Sequence, residues 1–227
     1  MGSPKYGWIV GGVLIAVMAV QAQDWNQWRG PDRNGVSAQV GLPSSWTPGS
    51  GGSGNVVWRQ STLVKRTSAA PGFDCGSPVV VGSGESGRVF FMNSVQQRVS
   101  GRTVCLRESD GAFLWDYLTL SNNAPWPGSE GAATPCVDTG NQRLYTATGE
   151  GRLQCLDWSG KRLWVRLTRL NTSGEDPDAF GAINGYCDNG SPQLDGENVI
   201  FQTGAGRDTP LRVPKLVALS ASTGATV

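Results

Sequence analysis

The stretch from Asn171 to Asn189, NTSGEDPDAFGAINGYCDN, gathers the side chains best suited to chemistry: Glu175, Asp176 and Asp178, followed by Phe180 and Tyr186. Three carboxylates this close together could supply hard oxygen ligands to calcium. They do not form a D-x-D-x-D-G loop, however, and Pro177 interrupts the run, so a solvated acidic turn is the simpler reading. Phe180 and Tyr186 either line a ligand-binding mouth or pack the loop down. The sequence contains no histidine. A Ser-His-Asp or Cys-His nucleophile needs an imidazole as its proton shuttle, so that chemistry has no bearer among these residues. Histidine-ligated zinc, copper and haem sites are excluded on the same ground. No residue presents itself as catalytic.

The five cysteines, Cys75, Cys105, Cys136, Cys155 and Cys187, are an odd count without a C-x-x-C pair. Cys105 and Cys155 read as small buried strand residues. One disulfide among the other three remains open. Glu85, Glu130 and Glu150 adjoin glycines and read as exposed turn charges. Trp25, Trp28, Arg29 and Arg33 cluster near the start. They read either as a belt packed across the fold or as anchors for a partner.

These candidates must be held by something, and composition says what. Charged residues make up 16% with a formal net charge of +1, which leaves no electrostatic footprint for nucleic acid. The 32 glycines, 13 prolines and 9 tryptophans point instead to short strands joined by many turns. Residues 1–22 read as a secretory signal peptide. Lys5 precedes an apolar run from Trp8 to Val20, and Val20-Gln21-Ala22 offers a cleavage site. The run is shorter than the roughly 20 apolar residues a membrane span needs, although a retained anchor is the alternative. Under that alternative the uncleaved segment is the chain's membrane contact. Residues 23–55 form a lead-in that ends in the flexible linker PGSGGSG, residues 48–54.

From residue 56 to 227 the chain repeats. Ser77-Pro78, Thr134-Pro135 and Ser191-Pro192 each open a short segment, and three further segments follow in order. The second segments begin near Arg88, Arg143 and Val199, and the third near Thr103, Leu153 and Leu216. The fourth opens on Trp115 and Trp164, each preceded at four residues by a glycine, Gly111 or Gly160. Gly224 has the same context. An isolated fourth segment surrounds Trp58.

This pattern predicts an all-β fold: a β-propeller of four-stranded antiparallel blades, present as an incomplete ring. It comprises one orphan outer strand, two full blades and three strands of a third. A blade cannot bury both its faces alone, so blades stack radially. The turn glycine permits a positive φ, and the tryptophan fills the gap between blades while its N–H finds a backbone acceptor. Proline at the opening of an inner strand is tolerable because that residue need not donate to the ladder. Ring closure takes about four to eight blades, so the expectation is the front portion of a longer chain.

The third-to-fourth strand turns carry a resemblance. Ala218 to Gly224, ALSASTG, resembles the A-L-D-A-x-T-G-x-x-x-W repeat of pyrroloquinoline-quinone-type propellers. CLRESDGAFLW from Cys105 is similar, and CLDWSGKRLW from Cys155 is one residue shorter. DWNQWRGPDRNGVS from Asp24 resembles the lead-in of bacterial exported quinoprotein-like proteins. The resemblance implies two possible roles. Dehydrogenases of this superfamily bind the quinone and calcium, use a catalytic aspartate and often carry adjacent bridged cysteines. The chain has no Cys-Cys pair, and no aspartate matches. Non-enzymatic members, such as the outer-membrane assembly factor type, bind protein partners and no quinone. The expectation is therefore an exported, periplasmic or secreted propeller that binds a protein or small-molecule partner at a mouth, with no cofactor evident. The alternative is a quinone-dependent alcohol or sugar dehydrogenase that binds quinone and calcium, its catalytic aspartate and calcium ligands lying beyond the residues present or at loop positions that the pattern does not mark.

Overall fold

The computed structural model describes residues 24–45, 56–60, 76–95, 100–120, 133–148, 152–167, 190–202 and 216–227. Among them, strands build three separate antiparallel sheets. Blade 1 comprises β1 (Val79–Val81), β2 (Arg88–Val95), β3 (Ser100–Arg107) and β4 (Phe113–Leu120), hydrogen-bonded in chain order. Blade 2 repeats the plan with β5 (Cys136–Asp138), β6 (Arg143–Thr148), β7 (Arg152–Asp157) and β8 (Arg162–Leu167). Blade 3 contributes β9 (Gln193–Asp195), β10 (Asn198–Gln202) and β11 (Leu216–Ser220). This is the predicted up-and-down order, with one blade per repeat.

The innermost strands β1, β5 and β9 lie beside one another, as expected of sheets converging on a channel. Each begins directly after its proline: Pro78, Pro135 or Pro192. Residues 56–60, expected as an orphan outer strand, show no strand pairing among the described residues, although Trp58 docks on blade 1. The fourth strands begin two residues ahead of Trp115 and Trp164 rather than on them.

The register explains the cysteines. Phe90, Cys105 and Trp115 stand in one row across β2, β3 and β4. Tyr145, Cys155 and Trp164 make the equivalent row in blade 2. A small residue between two large ones lets the rings approach over it, with centroids 5.9 Å apart for Phe90–Trp115 and 6.0 Å for Tyr145–Trp164. A β-bulge follows each cysteine and re-aims the strand toward the turn glycine.

Alternation sends the two faces of each blade to different neighbours. Val79, Val81, Phe90 and Cys105 of blade 1 pack with Val137, Leu144 and Leu156 of blade 2. Tyr145, Leu153 and Cys155 face the other way and pack with Val199, Phe201, Val217 and Leu219 of blade 3. Val89, Val104 and Leu106, on the opposite face of blade 1, close against Trp58.

Candidate functional site

The repeat residues meet at the joints between blades. Each tryptophan gives its indole N–H to a backbone carbonyl in the next blade: Trp58 to Glu108 at 2.6 Å, Trp115 to Trp158 at 2.8 Å and Trp164 to Ala221 at 3.1 Å. Its ring lies on that blade's turn glycine. A Cβ on Gly111, Gly160 or Gly224 would come within 2.5, 2.9 or 2.8 Å of the tryptophan ring. The three glycines also have φ of 69°, 87° and 73°, so each is required twice, for conformation and for clearance.

Two further contacts escaped the sequence reading. Two residues after the tryptophan, Gln60 donates to the Gly111 carbonyl at 3.3 Å, and the buried Arg166 donates to the Gly224 carbonyl at 2.9 Å. Next to the prolines, the Ser77 N–H donates to Thr134 Oγ1 at 2.9 Å and the Thr134 N–H to Ser191 Oγ at 3.0 Å. The repeat hydroxyl is thus a joint as well as a strand opener. Its recurrence every 57 residues was the available signal.

Between blades 1 and 2 the apolar filling gives way to a polar patch. Gln154, fully buried, donates to Thr119 Oγ1 at 2.9 Å and Thr146 Oγ1 at 3.1 Å. At the matching repeat positions stand Val104 and Val217.

The lead-in is the second assembled feature. Trp25 and Val80 exchange backbone hydrogen bonds of 2.7 and 3.0 Å on the edge of β1 that faces away from β2. Asp24 Oδ1 accepts from the Gly82 N–H at 2.7 Å. The Asn26 carbonyl accepts from the Val137 N–H of β5 at 2.8 Å, and Gln27 Oε1 accepts from the Cys136 thiol. Arg33 donates to the Leu194 carbonyl of β9 and pairs with Asp195 at 3.6 Å. Trp25, Asn26, Gln27 and Arg33 therefore reach the innermost strands of all three blades within one short stretch, which is the belt arrangement. Trp28 is exposed, with the Arg29 guanidinium 5.6 Å above its ring. The belt turns on Gly30, which lies against the Trp25 ring at a φ of 78°.

Burial pushes the Cys105, Cys136 and Cys155 thiols up to about 12, so they stay protonated and unreactive near neutrality. All three are unpaired, Cys136 included. Burial raises the Tyr145 phenol too, and its hydroxyl donates to the Ala221 carbonyl at 3.1 Å. At Asp157, burial works upward, but hydrogen bonds from the Ser159 hydroxyl and from the Lys161 and Ser159 amides outweigh it and hold the carboxyl low. That carboxylate organises the β7–β8 turn. Glu85 is exposed and pairs with Arg107 at 2.8 Å.

The acidic candidates Glu175, Asp176 and Asp178 lie outside the described residues, as do Phe180, Tyr186, Glu130, Glu150, Cys75, Cys187, the signal segment 1–22 and the linker 48–54. Among the described residues, no group of three or more Cys, Asp or Glu could hold a metal ion. No described helix is long and apolar enough to cross a membrane.

Residues 50–227 match the family described as outer membrane protein assembly factor BamB. No curated protein matches the chain. Among solved structures it is similar to a europium-containing methanol dehydrogenase, at 18% identity and TM-score 0.47 over 67% of this chain and 24% of that one. It is similar to the quinohemoprotein alcohol dehydrogenase from Comamonas testosteroni, at 19% identity and TM-score 0.44 over 67% and 20%. BamB from Moraxella catarrhalis aligns at 16% identity and TM-score 0.32 over 65% and 46%. The chain thus spans about a quarter or less of the length of the two dehydrogenases. With PQQ-like repeats folded as four-stranded blades and a match over most of its length, the chain belongs to the BamB family of outer membrane protein assembly factor propellers.

Proposed function

We propose that this chain is part of an exported propeller of the bacterial cell envelope that acts as a binding or scaffold module for protein or small-molecule partners. The observation that carries this reading is the use made of the polar interior. The indole N–H groups of Trp58, Trp115 and Trp164, the Thr134 and Ser191 hydroxyls, and the side-chain donors of Gln60, Gln154 and Arg166 each engage the neighbouring blade. Such an interior makes a rigid platform, and recognition falls to its edges, mouths and rim. The family's description, an outer membrane protein assembly factor, supports a protein-handling role.

The test uses the full-length protein. A cross-linking pull-down from envelope extract should recover a specific protein partner, and addition of pyrroloquinoline quinone with calcium and an alcohol or sugar should give no dye reduction. Robust quinone-dependent dye reduction would overturn the reading in favour of a dehydrogenase. Export is checked separately, by finding the mature amino terminus at Gln23 in the periplasmic or secreted fraction.

A further inference from the structure

An innermost propeller strand has one edge paired to its own blade and one edge turned to the channel. The N–H and C=O groups on that second edge need partners. In β1 and β5 those partners come from the lead-in: Val80 is paired in both directions with Trp25, and the Val137 N–H meets the Asn26 carbonyl. The contact is backbone to backbone, in the manner of strand addition to a sheet edge, and side chains fix its register. Asp24 holds Gly82 at one end, Gln27 accepts from Cys136 in the middle, and Arg33 grips Leu194 and Asp195 at the other end. The docked run is short. Trp25 and Val80 form an isolated bridge rather than a ladder, and the segment soon turns away at Arg29 and Gly30, both at positive φ. A short run held at scattered points opens at far lower cost than a blade strand.

We propose that the channel-facing edges of β1 and β5 are a binding surface for an extended polypeptide, with the chain's own lead-in as resident occupant. A partner segment takes the place of Asp24–Gln27 by the same backbone pairing, presenting an acidic residue, an aromatic residue and two amide residues in order. This rests on the binding-module reading and names the partner's chemistry: an unfolded or extended peptide strand. The tether keeps the lead-in at high effective concentration, so an external strand competes well only when the lead-in is weakened.

The probe is a fluorescent peptide of residues 24–34, added to the full-length protein and to its Trp25→Ala/Arg33→Ala variant, which leaves β1 and β5 unchanged. The variant should bind the peptide about ten-fold or more tighter than the parent. A peptide N-methylated at Trp25, which cannot donate to the Val80 carbonyl, should bind about ten-fold more weakly. Equal binding of the two peptides, or none to a folded variant, overturns the proposal. Hydrogen exchange on the parent chain covers a variant that does not fold: the Val80 and Val137 amides should exchange by local opening, well ahead of the β6 and β7 amides. If they exchange only with global unfolding, the lead-in never leaves and the proposal fails. Quinone-dependent dye reduction together with peptide binding would remove the binding-module reading alone, whereas an inert protein whose lead-in never opens would remove this inference alone.

Discussion

Between blades 1 and 2, a buried glutamine reaches from β7 to Thr119 on the outermost strand of the neighbouring blade. Between blades 2 and 3, Val217 stands at the same repeat position and the filling is Tyr145, Leu153, Val199 and Leu219. The tryptophan–glycine joint, by contrast, is the same at both seams. The joint holds any blade to any other, and the filling decides which faces belong together. A glutamine pressed against the apolar face of blade 3 would keep Thr146 of its own blade but lose Thr119, at a cost of about 1–3 kcal/mol.

The largest effects should fall on the shared joint, and equally at both seams. Trp115→Ala and Trp164→Ala should each lower unfolding free energy by about 3 kcal/mol in urea titrations. Gly160→Ala and Gly224→Ala should cost about as much, since each combines a left-handed backbone with a clash against the indole. Should one seam tolerate the alanine, the joints are not equivalent and the comparison breaks.

The filling should behave asymmetrically. Gln154→Ala alone should cost about 2 kcal/mol by stripping two buried hydroxyls of their donor. The triple variant Thr119→Val, Thr146→Val and Gln154→Val should lie within about 0.5 kcal/mol of the parent, because an apolar seam replaces a polar one in which the buried Gln154 Oε1 has no partner. A triple variant as unstable as the single one would show that the glutamine contributes stability rather than identity.

Thr134→Val and Ser191→Ala probe both seams more gently. Each removes the hydroxyl that accepts a backbone N–H from the preceding blade, at Ser77 or Thr134, and each should cost about 1 kcal/mol by thermal melting.

The smallest effect at neutral pH concerns the thiols. Burial pushes Cys105 and Cys155, one in each of the two clusters between blades, up to about 12 when folded against an ordinary 9.0. The unfolded chain therefore releases these protons first. Their contribution is intact below about pH 9 and is lost as pH rises toward 12. A Cys105→Ala/Cys155→Ala variant, which places in both rows the residue that blade 3 already has at Ala218, should show a flatter alkaline unfolding curve than the parent. A parallel loss in both proteins would remove the thiols as its cause.

The blades were legible because their signals are local. Proline before an inner strand and glycine four residues ahead of tryptophan follow from turn geometry and strand edges, which spacing reveals directly. The glycine's second duty was not legible, since the indole touching it comes from another blade. Gln60, Arg166 and Gln154 escaped for the same reason: their partners are non-local, and a polar residue in a strand reads as solvent-facing until its neighbour is placed. The lead-in was readable as a belt from its tryptophans and arginines, but its backbone pairing with Val80 and Val137 leaves no trace in side-chain pattern.

The joint has a consequence for how such a chain changes over generations. Blades 1 and 2 each carry one tryptophan to hand forward and one glycine to receive. A duplication or deletion one repeat long, wherever its breakpoints fall, leaves every tryptophan facing a glycine in the following blade. Blade number can therefore drift by recombination without inventing a new interface. The exception is the junction marked by Gln154, where an inserted copy would have to bring a threonine in the place of Thr119.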